Sequence, residues 1–113
     1  MLKNSIVLVP FPFDDFSDTK VRPALCLTSE IGWYENIIIS FISSKLSDEN
    51  LDSDFVLLKN SIFWEGTGLI SDSVIRLHKL VTVPKRIIKR KLGSINNDLE
   101  IIIKDKLYKL LNA

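Results

Sequence analysis

Apolar residues along the chain fall into short runs of period two, followed by a single run of period 3.6. Ile6 to Val9 is a branched apolar run. Phe11 and Phe13 carry it on at every second position across Pro10 and Pro12, where prolines suit an edge or a strand end. Asp14 to Lys20 is polar and turn-like, and Pro23 to Thr28 forms a second apolar run, so the spacing predicts a hairpin. After a break over Glu30 to Asn36, the β-branched run Ile37 to Ile42 predicts a central strand that ends at Ser43-Ser44-Lys45. Leu46 to Asp54 reads as an acidic surface loop, followed by a short strand over Phe55 to Leu58. A turn over Asn60 to Gly68 then carries Phe63, Trp64 and two glycines. Ser73 to Val83 alternates apolar and polar residues as one long strand, bent around Leu80-Val81 where the alternation slips and ended by Pro84. Lys85 to Lys91 reads as one helical turn leading into a short strand to Gly93.

The last segment changes period. Leu99, Ile102, Ile103, Leu107, Leu110 and Leu111 form one apolar stripe, Asn96 or Asn97 can cap it, and Asp98 and Glu100 favour its positive end. Short strands joined by turns and followed by one helix predict a mainly β (α+β) chain, a single domain over 1–113. The architecture expected is a small SH3-like, strongly curved antiparallel β-barrel with a C-terminal α-helix closing one side.

Composition adds two constraints. The formal net charge of the 113 residues is only +1, but residues 1 to 56 hold four Lys/Arg against nine Asp/Glu and the remainder eleven against five. Either this makes a dipolar surface that steers a polyanion, or the fold interleaves the halves and averages them. The single cysteine, Cys26, lies in an apolar run and has no partner for an internal disulfide, which predicts a buried free thiol in a reducing compartment. The run Ile6 to Phe13 is far short of the ~20 residues that span a bilayer. The chain thus reads as cytoplasmic, without a membrane segment or targeting signal.

Candidate chemistry concentrates in Pro10 to Leu27. Pro23 pushes Arg22 into the extended region, so its guanidinium, a permanently charged planar fork of donors, can be aimed at a phosphate as well as lie solvated. Metal ligation finds no support: His78 is the only histidine, and the acidic loop lacks the glycine and terminal glutamate of a calcium loop. No cofactor motif is present. The basic residues from Lys85 to Lys91 suit either a solvated face or a nucleic-acid contact. Trp33 and Trp64 suit core or dimer packing, with base stacking as the alternative.

The motifs IVLVPFPFDD and RPALCLTS resemble the opening of the MazF/PemK-like toxins of type II toxin-antitoxin systems. Ile39 to Lys45 resembles that family's third strand, and GLISDSVIRLHKLVTV (Gly68 to Val83) resembles a later family segment. The resemblance implies the same fold, a homodimer, a cognate acidic antitoxin, and metal-independent endoribonuclease activity on single-stranded RNA. The positions matching the family's catalytic arginine and threonine are Arg22 and Ser43. Ser44 and Lys45 beside Ser43, and Lys20 on the hairpin loop, suit either contact with substrate phosphates or an ordinary strand-end turn. Three departures stand out: Asn4-Ser5 replaces the usual Gly-Asp, the loop from Asp14 to Val21 is shorter than in many members, and Ser43 replaces threonine. The serine keeps the hydroxyl but loses the methyl that stiffens χ1.

A ribonuclease of this kind lets RNA supply its own nucleophile, the 2′-hydroxyl, and needs above all a preorganised cation at the phosphoryl oxygens, worth on the order of 3 kcal/mol. Arg22 fits that role better than the role of base, because deprotonating a guanidinium is costly. Two other readings stay open on the sequence, a non-catalytic toxin that poisons a protein such as DNA gyrase and an inactive nucleic-acid-binding module of the same fold.

Overall fold

A computed structural model describes residues 2–11 and 20–113. Its strands are β1 (Ser5–Phe11), β2 (Lys20–Cys26), β3 (Asn36–Ser43), β4 (Asp54–Leu57), β5 (Ser73–Pro84) and β6 (Arg90–Ser94). They form one six-stranded sheet in the order β4-β5-β3-β2-β1-β6, every pair antiparallel. A 3-10 turn over Lys85–Ile87 links β5 to β6, and α1 (Asn97–Leu111) follows. The sheet curls into a half-barrel carrying one C-terminal helix, the mainly β architecture expected. The turn expected from Asp14 and the extension of strand one to Phe13 fall at residues 12–19, outside the described residues.

The curl follows from strands that are apolar on both faces. Ile6, Leu25, Ile42, Ile75 and Leu77 point to one side, where Leu99 and Ile103 of α1 cover them. Val7, Val9, Ala24, Cys26, Ile37, Ile39 and Phe41 point to the other, closed by Val83 with Ile87 and Ile88. Adjacent residues of one strand enter different clusters, as a period of two requires. Each large side chain so buried stabilises by about 1.5–3 kcal/mol. Asn96, not Asn97, caps α1: its Oδ1 accepts the Leu99 N–H at 2.8 Å. The helix outruns the cluster beneath it, so Leu111, expected in the buried stripe, is exposed.

Several boundaries differ from the sequence reading, each for a reason of pairing. β2 begins at Lys20 rather than Pro23, because pairing with β1 runs on to Phe11 and holds Arg22 opposite Val9. Arg22 is therefore a strand residue and not a loop residue. The odd residues of β2 turn their amide edge towards β3, as Leu27 N–H donating to Ile38 O shows. Pro23, lacking a donor, falls on that edge just past the last β2–β3 pair, Ala24 with Phe41. The two strands part there.

The bend in β5 lies at Arg76 to Lys79 and not at Leu80-Val81. Ser40 faces Leu80 and Ile42 faces Ile75, so a four-residue bulge opposes Phe41 alone. Ser40 Oγ donates to Arg76 O at 2.7 Å across it. Asp54, expected in the acidic surface loop, is a buried first residue of β4, whereas Leu58 lies beyond that strand and is exposed. Trp33, for which core or dimer packing was expected, is 98% exposed and so no part of this chain's core. The acidic and basic halves interleave in the sheet and neutralise each other in places, as in Lys85 with Glu30 and Arg76 with Asp54.

Candidate functional site

The opening between β2 and β3 is a cleft of about 450 Å³. Continuing the β2–β3 register past its last pair sets Arg22 opposite Ser43, and both share the sheet face of Phe41 and Ala24. Pro23 and Ile42 line the cleft where the strands separate, and Ser44 and Lys45 line it just past the end of β3. Arg22 is half-buried. Ser43 Oγ accepts the Lys45 backbone N–H at 3.1 Å, a short turn that orients the hydroxyl and leaves its proton free to donate. That contact supplies part of the stiffness expected to be lost with the threonine methyl. Lys20 does not line the cleft; it lies two residues from Arg22 on the same face of β2, about 7 Å further along the strand.

The opposite wall comes from residues that sequence reasoning passed over. Arg76 and Lys79, in the β5 bulge, face the cleft together with Leu69, Ser71 and Ser73. Among the described residues, the cleft is lined by four cations and by no carboxylate. Arg76 is held from behind by buried Asp54: Nε lies 3.0 Å from Oδ1, a charge contact without an aligned hydrogen bond, while Oδ2 accepts the Leu51 N–H at 2.9 Å. The signal available in the sequence was a cation in a strand whose neighbours, Ile75 and Leu77, are core residues. His78 lies outside this lining, its Nδ1 3.4 Å from Ser53 Oγ.

Leu69 and Ser71 are fixed by backbone meeting backbone. Gly68 adopts φ +73° against Leu92, and the loop crosses β6 at Gly93, where a Cβ would stand 2.2 Å from Gly66 O. Ser94 N–H donates to Gly66 O at 2.8 Å. Thr67, fully buried, ties the turn by donating to Trp64 O at 2.8 Å. Trp64 is half-buried, and Phe63 packs edge-on to Phe55 with centroids 5.8 Å apart.

Cys26 is buried inside the sheet, and burial, with a smaller contribution from the Glu30 charge, pushes its thiol up to about 11. It is no nucleophile. Among the described residues no three His, Cys, Asp or Glu side chains gather as a metal site, and no helix is long and apolar enough to cross a membrane.

The described residues thus define a class of small, curled, antiparallel half-barrels with one C-terminal helix and a hydroxyl-bearing cationic cleft at a strand end. The chain belongs to the PemK-like, MazF-like toxins of type II toxin-antitoxin systems, whose sequence profile matches residues 3–111. No curated protein sequence matches it significantly. Among solved structures it is similar to Mycobacterium tuberculosis toxin MazF-mt6, at 18% identity and a TM-score of 0.71, with 96% of each chain covered. It is also similar to a mycobacterial endoribonuclease solved in complex with its cognate antitoxin, at 9% identity and a TM-score of 0.69, covering 99% of this chain and 95% of that one. A third structure, of another M. tuberculosis toxin, aligns at 17% identity and a TM-score of 0.65, covering 92% of this chain and 97% of that one.

Proposed function

We propose that this toxin is an endoribonuclease that cleaves single-stranded RNA in the β2–β3 cleft without a metal ion. The observation that supports the reading is the cleft itself, whose lining includes Arg22 and Ser43 together with Lys45, Arg76 and Lys79. A phosphodiester seated there has its non-bridging oxygens on the Arg22 guanidinium and the Ser43 hydroxyl. The adjacent 2′-hydroxyl attacks phosphorus, the bond to the 5′ oxygen breaks, and the products are a 2′,3′-cyclic phosphate and a 5′-hydroxyl. The nucleophile's proton leaves to solvent, and the departing oxygen takes one from Arg22 or from water. Arg22 stabilises the developing phosphoryl charge, and Ser43 orients the group. Ser44 and Lys45, with Lys20 beyond them, hold neighbouring phosphates.

The working assembly is a homodimer in the cytoplasm, restrained by an acidic antitoxin that covers the cleft. The family assignment and the cationic lining both favour such a partner. The cationic cleft also favours RNA over a protein target as the substrate.

The test is cleavage of varied single-stranded RNA in EDTA. Arg22→Ala is expected to lose roughly 10² to 10³ in rate and Ser43→Ala on the order of tenfold, with Ser43→Thr at or above wild type. Because Arg22 is paired into β2, circular dichroism must accompany each variant. Unchanged cleavage by folded Arg22→Ala, or no cleavage by wild type, would sink the reading.

A further inference from the structure

Trp33 and Tyr34 are 98% and 83% exposed, yet the hairpin that carries them is tightly built. Ile31 and Asn36 exchange backbone hydrogen bonds of 2.8 and 2.9 Å across a four-residue loop. The loop closes with two left-handed residues, Gly32 at φ +74° and Glu35 at φ +50°, the second an unfavourable conformation for a residue with a Cβ. Lys85 straps the hairpin down: its N–H donates to Glu35 O at 3.0 Å, and its Nζ reaches Glu30 at 3.1 Å and Glu35 at 3.7 Å. Two large aromatic rings are thus held in water on a rigid support, at a cost that no packing among the described residues offsets.

Beside them lies a hollow of about 680 Å³, lined by Tyr34, Asn36, Pro84, Arg86 and Ile88 among others. It offers a nucleotide an aromatic face to stack on, an apolar floor, an amide for the edge of a base, and a guanidinium for a phosphate. Arg86 has no ion-pair partner among the described residues, while Lys85 is shared between Glu30 at 3.1 Å and Glu35 at 3.7 Å, so Arg86 is the cation of the hollow left for a phosphate. The hollow opens at the start of β3, whereas Arg22 and Ser43 stand at its end, about 23 Å away along the strand. A basic segment bridges the interval. From Lys85 and Arg86 the chain runs to Lys89, whose N–H donates to Leu8 O, and to Arg90 opposite Leu8. The next residue of β1, Val9, faces Arg22. Arg90 shares the Leu8 face, whereas Lys91, opposite Val7, shares the face of Val9 and Arg22, so the cations lead from the aromatic hairpin to within two strand spacings and two residues, about 12 Å, of Arg22.

We propose that the Trp33-Tyr34 hairpin and its hollow form a second contact for single-stranded RNA, a stacking platform that grips a flank of the strand whose scissile phosphate lies in the cleft. This rests on reading the cleft as an RNA site. Charge decides for RNA over a protein partner, since the segment joining the two places holds five cations and no carboxylate between Lys85 and Lys91. Stacking on aromatic faces tolerates any base, so the platform adds affinity and length preference rather than sequence choice.

The experiment uses the full chain and 2′-O-methyl oligonucleotides, which cannot be cleaved, in lengths of roughly 4 and roughly 16 nucleotides, the range that one small barrel covers. The longer is expected to bind wild type more tightly. Trp33→Ala with Tyr34→Ala should weaken the longer roughly 5- to 100-fold and leave the shorter unchanged. Arg86→Ala should flatten the salt dependence for the longer only. In a Trp64→Phe background, Trp33 emission should be quenched by the longer oligonucleotide alone. Equal affinity of the double variant and wild type for the longer strand overturns the proposal. So does a double variant that keeps RNA binding but falls from dimer to monomer in light scattering, which would assign the face to a second copy. Absence of cleavage with length-dependent binding intact would condemn only the reading of the cleft.

Discussion

Replacing Gly93 by alanine tests whether contact between two backbones, rather than the cleft residues themselves, sets the shape of the site. The new Cβ would stand 2.2 Å from Gly66 O and 2.5 Å from Thr67 C, where ordinary contact begins at 3.4 Å, so the 64–69 turn must retreat by about 1 Å. Overpacking of this kind costs about 1–3 kcal/mol. The retreat also stretches the 2.8 Å hydrogen bond from Ser94 N–H to Gly66 O, worth about 1 kcal/mol. Together they predict a loss of about 2–4 kcal/mol, a fall in Tm of roughly 10–30 °C for a domain of this size. The contrasting variant is Gly32→Ala. Nothing lies within 4 Å of its added Cβ, but its φ is +74°, so only the left-handed strain of about 1–2 kcal/mol applies. Thermal melts followed by circular dichroism, with RNA cleavage measured well below each Tm, separate the two. Gly93→Ala should lose more stability than Gly32→Ala and should also slow cleavage, because Leu69 and Ser71 move with the turn. A Gly93→Ala protein that melts with wild type would refute the packing argument. One that melts lower yet cleaves normally would refute the link from turn to cleft.

Two further predictions concern buried groups. Native Cys26 should resist alkylation at pH 8 and react only as the chain unfolds; because its folded pKa of about 11 exceeds the ordinary 9.0, stability should be constant below pH 9 and decline as the unfolded thiol ionises above it, as urea titrations across pH would show. Asp54→Ala should cost about 1–3 kcal/mol by leaving Leu51 N–H without its acceptor and Arg76 without its counter-charge. Asp54→Asn should cost less, because it keeps an acceptor for Leu51, and equal urea midpoints for the two variants would rule out that accounting.

What the sequence determined by itself was local. Period-two runs with β-branched residues named the strands, a 3.6-residue stripe behind an asparagine cap named the helix, and Arg22-Pro23 drew attention to the edge that became the cleft. These properties depend on residues a few positions apart, so one chain read in order carries them. The tertiary structure decided whatever depends on which strands become neighbours. The β2–β3 pairing, continued two residues past its last pair, aligns Arg22 with Ser43, and Pro23 opens a cleft only because the β3 ladder stops at Ala24. The four-residue bulge that turns Arg76 and Lys79 into the same space is a mismatch between β3 and β5, and no property of β5 alone predicts where it falls. Trp33 shows the same division in reverse: its size and hydrophobicity argue for burial, but a hairpin closed by Gly32 and Glu35 and strapped by Lys85 holds it in solvent. Local chemistry fixed which residues were available, and long-range pairing fixed which of them meet.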